Sequence, residues 1–308
     1  MGTDNNEQLS TKERADFDGL WKEAIERFLH QLLMRTLPAL YNDADFSVPP
    51  EFLSKELRDT IQRPVAEEHN APLFVDELIK IRLKNGHSEW ILLHIEIQGS
   101  GGDDISFRMM LYCSLIFAHH RKMPVGLAIL TKPRPKGEII GTYTTEQYGA
   151  SISYNYNCFE VYNQDDNALL QSDNPFDLIF LATKNTISLS GKSKEEKKFS
   201  YLIQLTKLLA SKGWNIEDRR DIFNFIVRAV NLKDAALRQK FVKEIQDFQR
   251  GENMRTLSFV EEYFRDEGLE RGRREEKFET ARRLREMGMK DNDIHRATNL
   301  SFEDIRTL

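Results

Sequence analysis

Two runs of alternating apolar and polar residues, separated by Asn85-Gly86, constrain this chain more than any other stretch of it. In the first, Val75, Ile79, Ile81 and Leu83 fall on one side of an extended backbone and Asp76, Lys80 and Arg82 on the other. The second, Trp90 to Gln98, buries Ile91, Leu93, Ile95 and Ile97 and leaves His94, Glu96 and Gln98 on the opposite face. Asn-Gly between such runs is a turn signal, so the pattern predicts an antiparallel hairpin. With a three-residue loop, Asn85 to His87, Lys84 pairs with Ser88 and Asp76 comes directly opposite Glu96. A two-residue loop reverses the parity and sends the two acids to different faces.

Like charges directly opposed on a strand pair are destabilising, by roughly 0.2–1 kcal/mol, unless something cationic lies between them. A divalent metal is the simplest such group. The same two acids also fit an ordinary antiparallel sheet that keeps one polar, solvated face.

Around the hairpin, apolar residues from Phe17 to Leu33 recur at helical spacing, predicting a first helix from Asp16 to about Leu40 that Pro38 helps to end. Pro49-Pro50 suggests the start of a shorter helix running to Thr60. After the hairpin, the Gly-rich break at residues 99–102, with Asp103 or Asp104 as cap, opens a helix from about Ile105 to Arg121. Residues 124–131 read as a buried strand, and residues 142–148 and 152–162 as further strands rich in Tyr, Thr and Ile. Asn174-Pro175 opens a helix through Ala182, and from Lys194 onward the pattern is almost entirely helical. The expected organisation is therefore an α/β region over residues 1–185, a helical region over 186–257 and a charged tail over 258–308.

The 308 residues are 40% hydrophobic and 30% charged, enough for a sizeable core. A net charge of −5 is not the footprint of a protein that binds phosphate backbones over its whole surface. Positive charge is local, at Arg121 and Lys122 and again at Lys132, Arg134 and Lys136, where a merely solvated loop is an equally good reading. The two cysteines, Cys113 and Cys158, make no metal-binding spacing and suit a reducing compartment. The first residues lack the pattern of a signal peptide, and the longest apolar stretch, Met109 to Ala118, is too short to cross a bilayer. A cytoplasmic protein with no membrane segment is the expectation. In the tail, interleaved acids and bases between Arg265 and Arg285 favour a long exposed helix or a self-association surface. Asp291 and Ser301 would cap two short helices resembling a helix-turn-helix, although only Arg296 and Arg306 are basic there, so an oligomerisation module is as good a reading.

An ordered set of segments resembles a known family. It comprises Asp18-x-x-Trp21-Lys22, Phe52-Leu53-x-Lys55-Glu56-Leu57, Val75-Asp76, Trp90 through Glu96-Ile97-Gln98, Arg108 and Tyr112 at a helix opening, Leu127 to Thr131, and Ser172 to Phe176. Together they are similar to the recombination-promoting nuclease and putative transposase family of the PD-(D/E)XK nuclease superfamily. The resemblance implies a restriction-endonuclease-like core, a mixed central sheet flanked by helices, followed by an all-α C-terminal region. It implies a metal-dependent DNA endonuclease associated with recombination or transposon-related processes, with Asp76 and Glu96 as ligands of Mg²⁺, or of Mn²⁺ in its place. Gln98 stands where the superfamily usually has Lys; its amide can orient a group but cannot neutralise charge. Lys80 or, better, Arg108 would supply that charge, and Glu56 is a further candidate acid. His94 shares the site face, where a packed structural role is the commoner one. DNA is the implied partner, with self-association through the C-terminal helices. The alternative is a catalytically silent nuclease fold that binds DNA or protein.

Overall fold

The computed structural model describes residues 11–53, 76–84, 90–98, 105–133, 140–188, 194–251 and 258–308. It is a mixed α/β protein in which helices dominate the C-terminal region. Contacts divide it into two compact units, Met1–Arg238 and Gln239–Leu308. The helices of residues 195–230 thus share one unit with the sheet.

The first unit opens with α1 (Thr11–Thr36), closely followed by α2 (Pro38–Asp43). The central sheet has the order β1-β2-β3-β4-β7, formed by β1 (Glu51–Phe52), β2 (Asp76–Arg82), β3 (Trp90–Gln98), β4 (Val125–Leu130) and β7 (Asn157–Glu160). β1, β2 and β3 pair antiparallel, whereas β3–β4 and β4–β7 are parallel. A parallel neighbour requires a crossover. Between β3 and β4 that crossover includes α3 (Ile105–His120), which ends where Arg121 enters the left-handed region at φ 54°.

Pro49-Pro50 does not begin a helix. Glu51 and Phe52 pair with Lys80 and Ile79 as the edge strand β1, and the rest of the expected helix, to Thr60, lies outside the described residues. The run 152–162 is likewise not one strand. It breaks at Tyr156, with β6 (Ala150–Asn155) before the break and β7 after it in a different sheet. β6 pairs with β5 (Thr142–Gln147) as a separate two-stranded ribbon. Its turn, Tyr148-Gly149, has φ 50° and 83°, as a type I′ hairpin requires.

Both faces of the central sheet are covered. Odd-numbered Ile79, Ile81, Leu93, Ile95, Leu127 and Ile129 are all buried. Next to them on that face, Phe159 of β7 stacks on Phe180 of α5 (Pro175–Ser188), and Arg35 of α1 lies over the same ring. Trp21, fully buried on α1, meets Phe176, Phe180 and Phe225 at centroid distances of 5.6–6.3 Å. Such aromatic pairs add about 0.5–1.5 kcal/mol each beyond their area. α4 (Asp166–Gln171), α6 (Glu195–Ser211) and α7 (Ile216–Val230) complete this side, with Arg27 of α1 bonded to Asp218 and Asp221 of α7. Asn215 caps α7 by accepting from the Asp218 amide. The even-numbered face lies under α3, and the candidate site is on that face.

α8 (Ala235–Gly251) leads into the second unit, where α9 (Ser258–Glu286) is a long helix. α10 (Asp291–Thr298) and α11 (Phe302–Arg306) fold back on the end of α9 through Ala281, Ile294, Leu300 and Ile305, all buried. Ser301 caps α11 as expected, but α10 begins at Asp291 itself, with Lys290 in the cap position and no side-chain cap. α11 is five residues long and carries Glu303 and Asp304 beside Arg306, a charge balance that would repel phosphate more than attract it. Among the described residues no helix is long and apolar enough to cross a membrane.

Candidate functional site

The β2–β3 register pairs Asp76 directly with Glu96, and the ladder continues through Leu78–His94 and Lys80–Leu92 to Arg82–Trp90. Directly paired residues share a face and hold their Cβ atoms about 4.5–5.5 Å apart. This is the parity of the three-residue loop, and it places two carboxylate residues on neighbouring strands at one level of the sheet. Parallel pairing extends that level to Ala128 and then Cys158, and puts Gln98 beside Leu130 and Glu160 one rung further on.

The middle of this face is covered, although Lys80 and Arg82 at its far end are partly exposed. Leu78, on the same face as Asp76, is fully buried and packs with Tyr112 and Ile116 of α3. His94 is fully buried and meets the Tyr112 ring edge-on at 5.5 Å. At the other end of α3, Ile105 and Met109 pack with Ala128 and Leu130. α3 therefore crosses the sheet diagonally, with its N-terminal end toward the C-terminal ends of β3 and β4. Arg108 lies one helical turn, about 5.4 Å, before Tyr112. It is thus carried from the level of His94 toward that of Asp76 and Glu96, and both terminal guanidinium nitrogens are inaccessible to solvent. A covered guanidinium on the helix that crosses this face is a preorganised source of positive charge.

Lys80 is the weaker candidate for that role. It lies four residues from Asp76, about 13 Å along an extended strand. Its Nζ is bonded to Glu51 Oε2 at 3.1 Å across the β1–β2 pair. Glu56 lies outside the described residues. His119 and His120 meet edge to face at the end of α3, well along the helix from Arg108.

Two supports of the site were not anticipated. Glu77, the residue after Asp76, belongs to the apolar face opposite the acids, is fully buried, and pairs with Lys22 Nζ of α1 at 2.7 Å. A charged residue at an apolar position of an alternating run is the signal that could have revealed it, because a buried carboxylate needs a partner. The pair ties β2 to α1 and so fixes which face Asp76 takes. The second is Gly126, directly beside His94 in the parallel ladder. A Cβ there would collide with the Tyr154 hydroxyl and approach Met109 Cε at 2.8 Å and Tyr156 Cβ at 3.1 Å. Glycine lets these groups close over β4. Burial pushes the Cys113 thiol and the Tyr154 phenol upward, so both stay protonated at neutral pH.

The donor set suits a hard cation. Two directly paired carboxylate residues, with no cysteine or histidine pair beside them among the described residues, match the preference of Mg²⁺ for one or two carboxylates plus water and phosphate oxygens. Among the described residues no cluster of three or more His, Cys, Asp or Glu is arranged to hold a metal. Compared with known proteins, the chain matches no family model, no curated protein and no solved structure.

Proposed function

We propose that the chain is a metal-dependent DNA endonuclease with a restriction-endonuclease-like core. The observation that carries this reading is the direct pairing of Asp76 with Glu96 on a face covered by α3, the helix that bears Arg108. Two carboxylate residues directly paired on neighbouring strands cost stability unless a cation joins them. Asp76 and Glu96 would hold Mg²⁺, which, when bound, polarises the scissile phosphate and makes the attacking water more acidic.

The chain's own groups do the remaining work. Arg108 stabilises the charge that builds on the phosphoryl oxygens, the part a lysine would play at position 98. Gln98, one rung beyond Glu96, orients the attacking water through its amide, accepting from the water or donating to a phosphate oxygen. His94 and Tyr112 pack beneath these groups and exclude solvent from the lower side of the site.

The test is cleavage of supercoiled plasmid by purified protein in Mg²⁺ or Mn²⁺. Asp76→Ala and Glu96→Ala are each expected to lower the rate on the order of 10³-fold, the loss of several kcal/mol of transition-state stabilisation. Arg108→Ala should lose less than either. Wild-type rates in both acid variants would exclude these residues as the site.

A further inference from the structure

We infer that the β5–β6 ribbon is a groove reader: it inserts into the major groove of duplex DNA and reads base edges beside the site. This rests on the nuclease reading for its substrate and adds sequence preference to it.

The ribbon rises on the same side of the sheet as the paired acids. Tyr154 is buried in the cluster of Ile105, Met109, Ala128 and Leu130, and Tyr143 meets Phe107 of α3 at 5.9 Å. Phe107 is the neighbour of Arg108, and Ala128 pairs with Glu96 one strand away, about 4.8 Å. Tyr143 and Tyr154 form one rung, so the ribbon is held at its base by both strands. Tyr154 and Tyr156 stack, and the Tyr156 hydroxyl is 2.9 Å from that of Ser106 at the start of α3.

Beyond that base, support ends. The four outer rungs, Thr144–Ser153, Thr145–Ile152, Glu146–Ser151 and Gln147–Ala150, are exposed on both faces, and Tyr148 at the tip is fully exposed. They extend about 14 Å at strand spacing. A bare two-stranded ribbon is marginal in water, so a ribbon of this length suits one that is covered in use. B-DNA's major groove, about 12 Å wide and 8.5 Å deep, admits a two-stranded ribbon.

The side chains favour base edges over phosphates. Residues 142–155 include no Lys or Arg and a single acid, Glu146. One face of the outer ribbon presents Thr144, Glu146, Ser151 and Ser153, and the other Thr145, Gln147 and Ile152. Hydroxyls and amides bond to base edges, a carboxylate accepts from the cytosine amino group, and Ile or Thr methyls meet the thymine methyl. Such contacts specify sequence while phosphate contacts elsewhere supply affinity.

The experiment selects randomised duplexes on the full-length protein in Ca²⁺, sequences those retained, and maps Mg²⁺ cleavage sites on the same library. Wild type is compared with the quadruple variant Thr144→Ala, Gln147→Ala, Ser151→Ala, Ser153→Ala, whose exposed positions leave the thermal midpoint in place. Wild type should enrich a motif of a few base pairs by about tenfold or more per position. The variant should bind DNA generally but lose the motif. An identical motif in the variant, or bound DNA with no motif in wild type, overturns the inference. So does a dimer in sedimentation that the variant dissociates, which would make the ribbon a self-association edge. Cleavage abolished by Asp76→Ala with a ribbon-independent cut pattern leaves the nuclease reading standing and removes this one. A ribbon-dependent motif without cleavage does the reverse. Absence of any duplex binding removes both.

Discussion

The chain builds two antiparallel strand pairs of different composition and opposite fate. β2–β3 is covered on both faces, by α1, tied to it through Lys22–Glu77, on one side and by α3 on the other, and even its polar face buries Leu78 and His94. β5–β6 is anchored at one rung and is bare beyond it. The difference lies in what the sequence places at the second face. β2–β3 offers Leu78 and His94 for a helix to sit on, whereas the outer ribbon offers hydroxyls, an amide and one carboxylate. A covered hairpin holds its side chains at fixed levels, as paired ligands require. A bare one can enter a groove.

The contrast can be broken by truncating matching groups in the two hairpins. Leu78→Ala should destabilise the protein most, by about 2–5 kcal/mol in urea denaturation, because the cavity opens beneath α3. Lys22→Ala comes next, at about 2–3 kcal/mol, below the usual 3–5 for a broken buried pair because Lys22 is itself partly exposed. Gly126→Ala should cost about 1–3 kcal/mol by overpacking against Tyr154 and Met109, and should also lift the ribbon from its base. Tyr154 fluorescence or near-ultraviolet dichroism would report that displacement. Ile152→Ala and Thr144→Ala, in the bare ribbon, should each change stability by less than about 0.5 kcal/mol. Equal costs for Leu78→Ala and Ile152→Ala would erase the distinction.

Much of the covered hairpin is legible in the residues themselves. The dominant alternation on both strands, with Asn85-Gly86 between them, allows only two parities, and the structure adopts the one that pairs Asp76 with Glu96. Two features were hidden there. Leu78 interrupts the polar side and Glu77 the apolar side, and both make sense only once α3 and Lys22 are in place, because periodicity describes one strand and not what covers it. β1 escaped because two residues are too short for any period, and Pro49-Pro50 is as compatible with an edge strand as with a helix start. The break at Tyr156 escaped because Tyr, Ser and Asn continue the strand-like composition across it. It is set by tertiary packing, with Tyr156 buried over β4. The roles of Glu56, and of the charge missing at Gln98, rest on the resemblance; the path of α3 adds only the placement of Arg108.

The claim on which the site depends is that Asp76 and Glu96 act together on one ion. Mn²⁺ titration followed by electron paramagnetic resonance, on wild type, Asp76→Ala, Glu96→Ala and the double variant, measures it directly. One ion per chain is expected, with at least a tenfold loss of affinity in each single variant and little further loss in the double, the non-additivity of two ligands serving one site. Wild-type affinity in either single variant would contradict the account, as would losses that simply add.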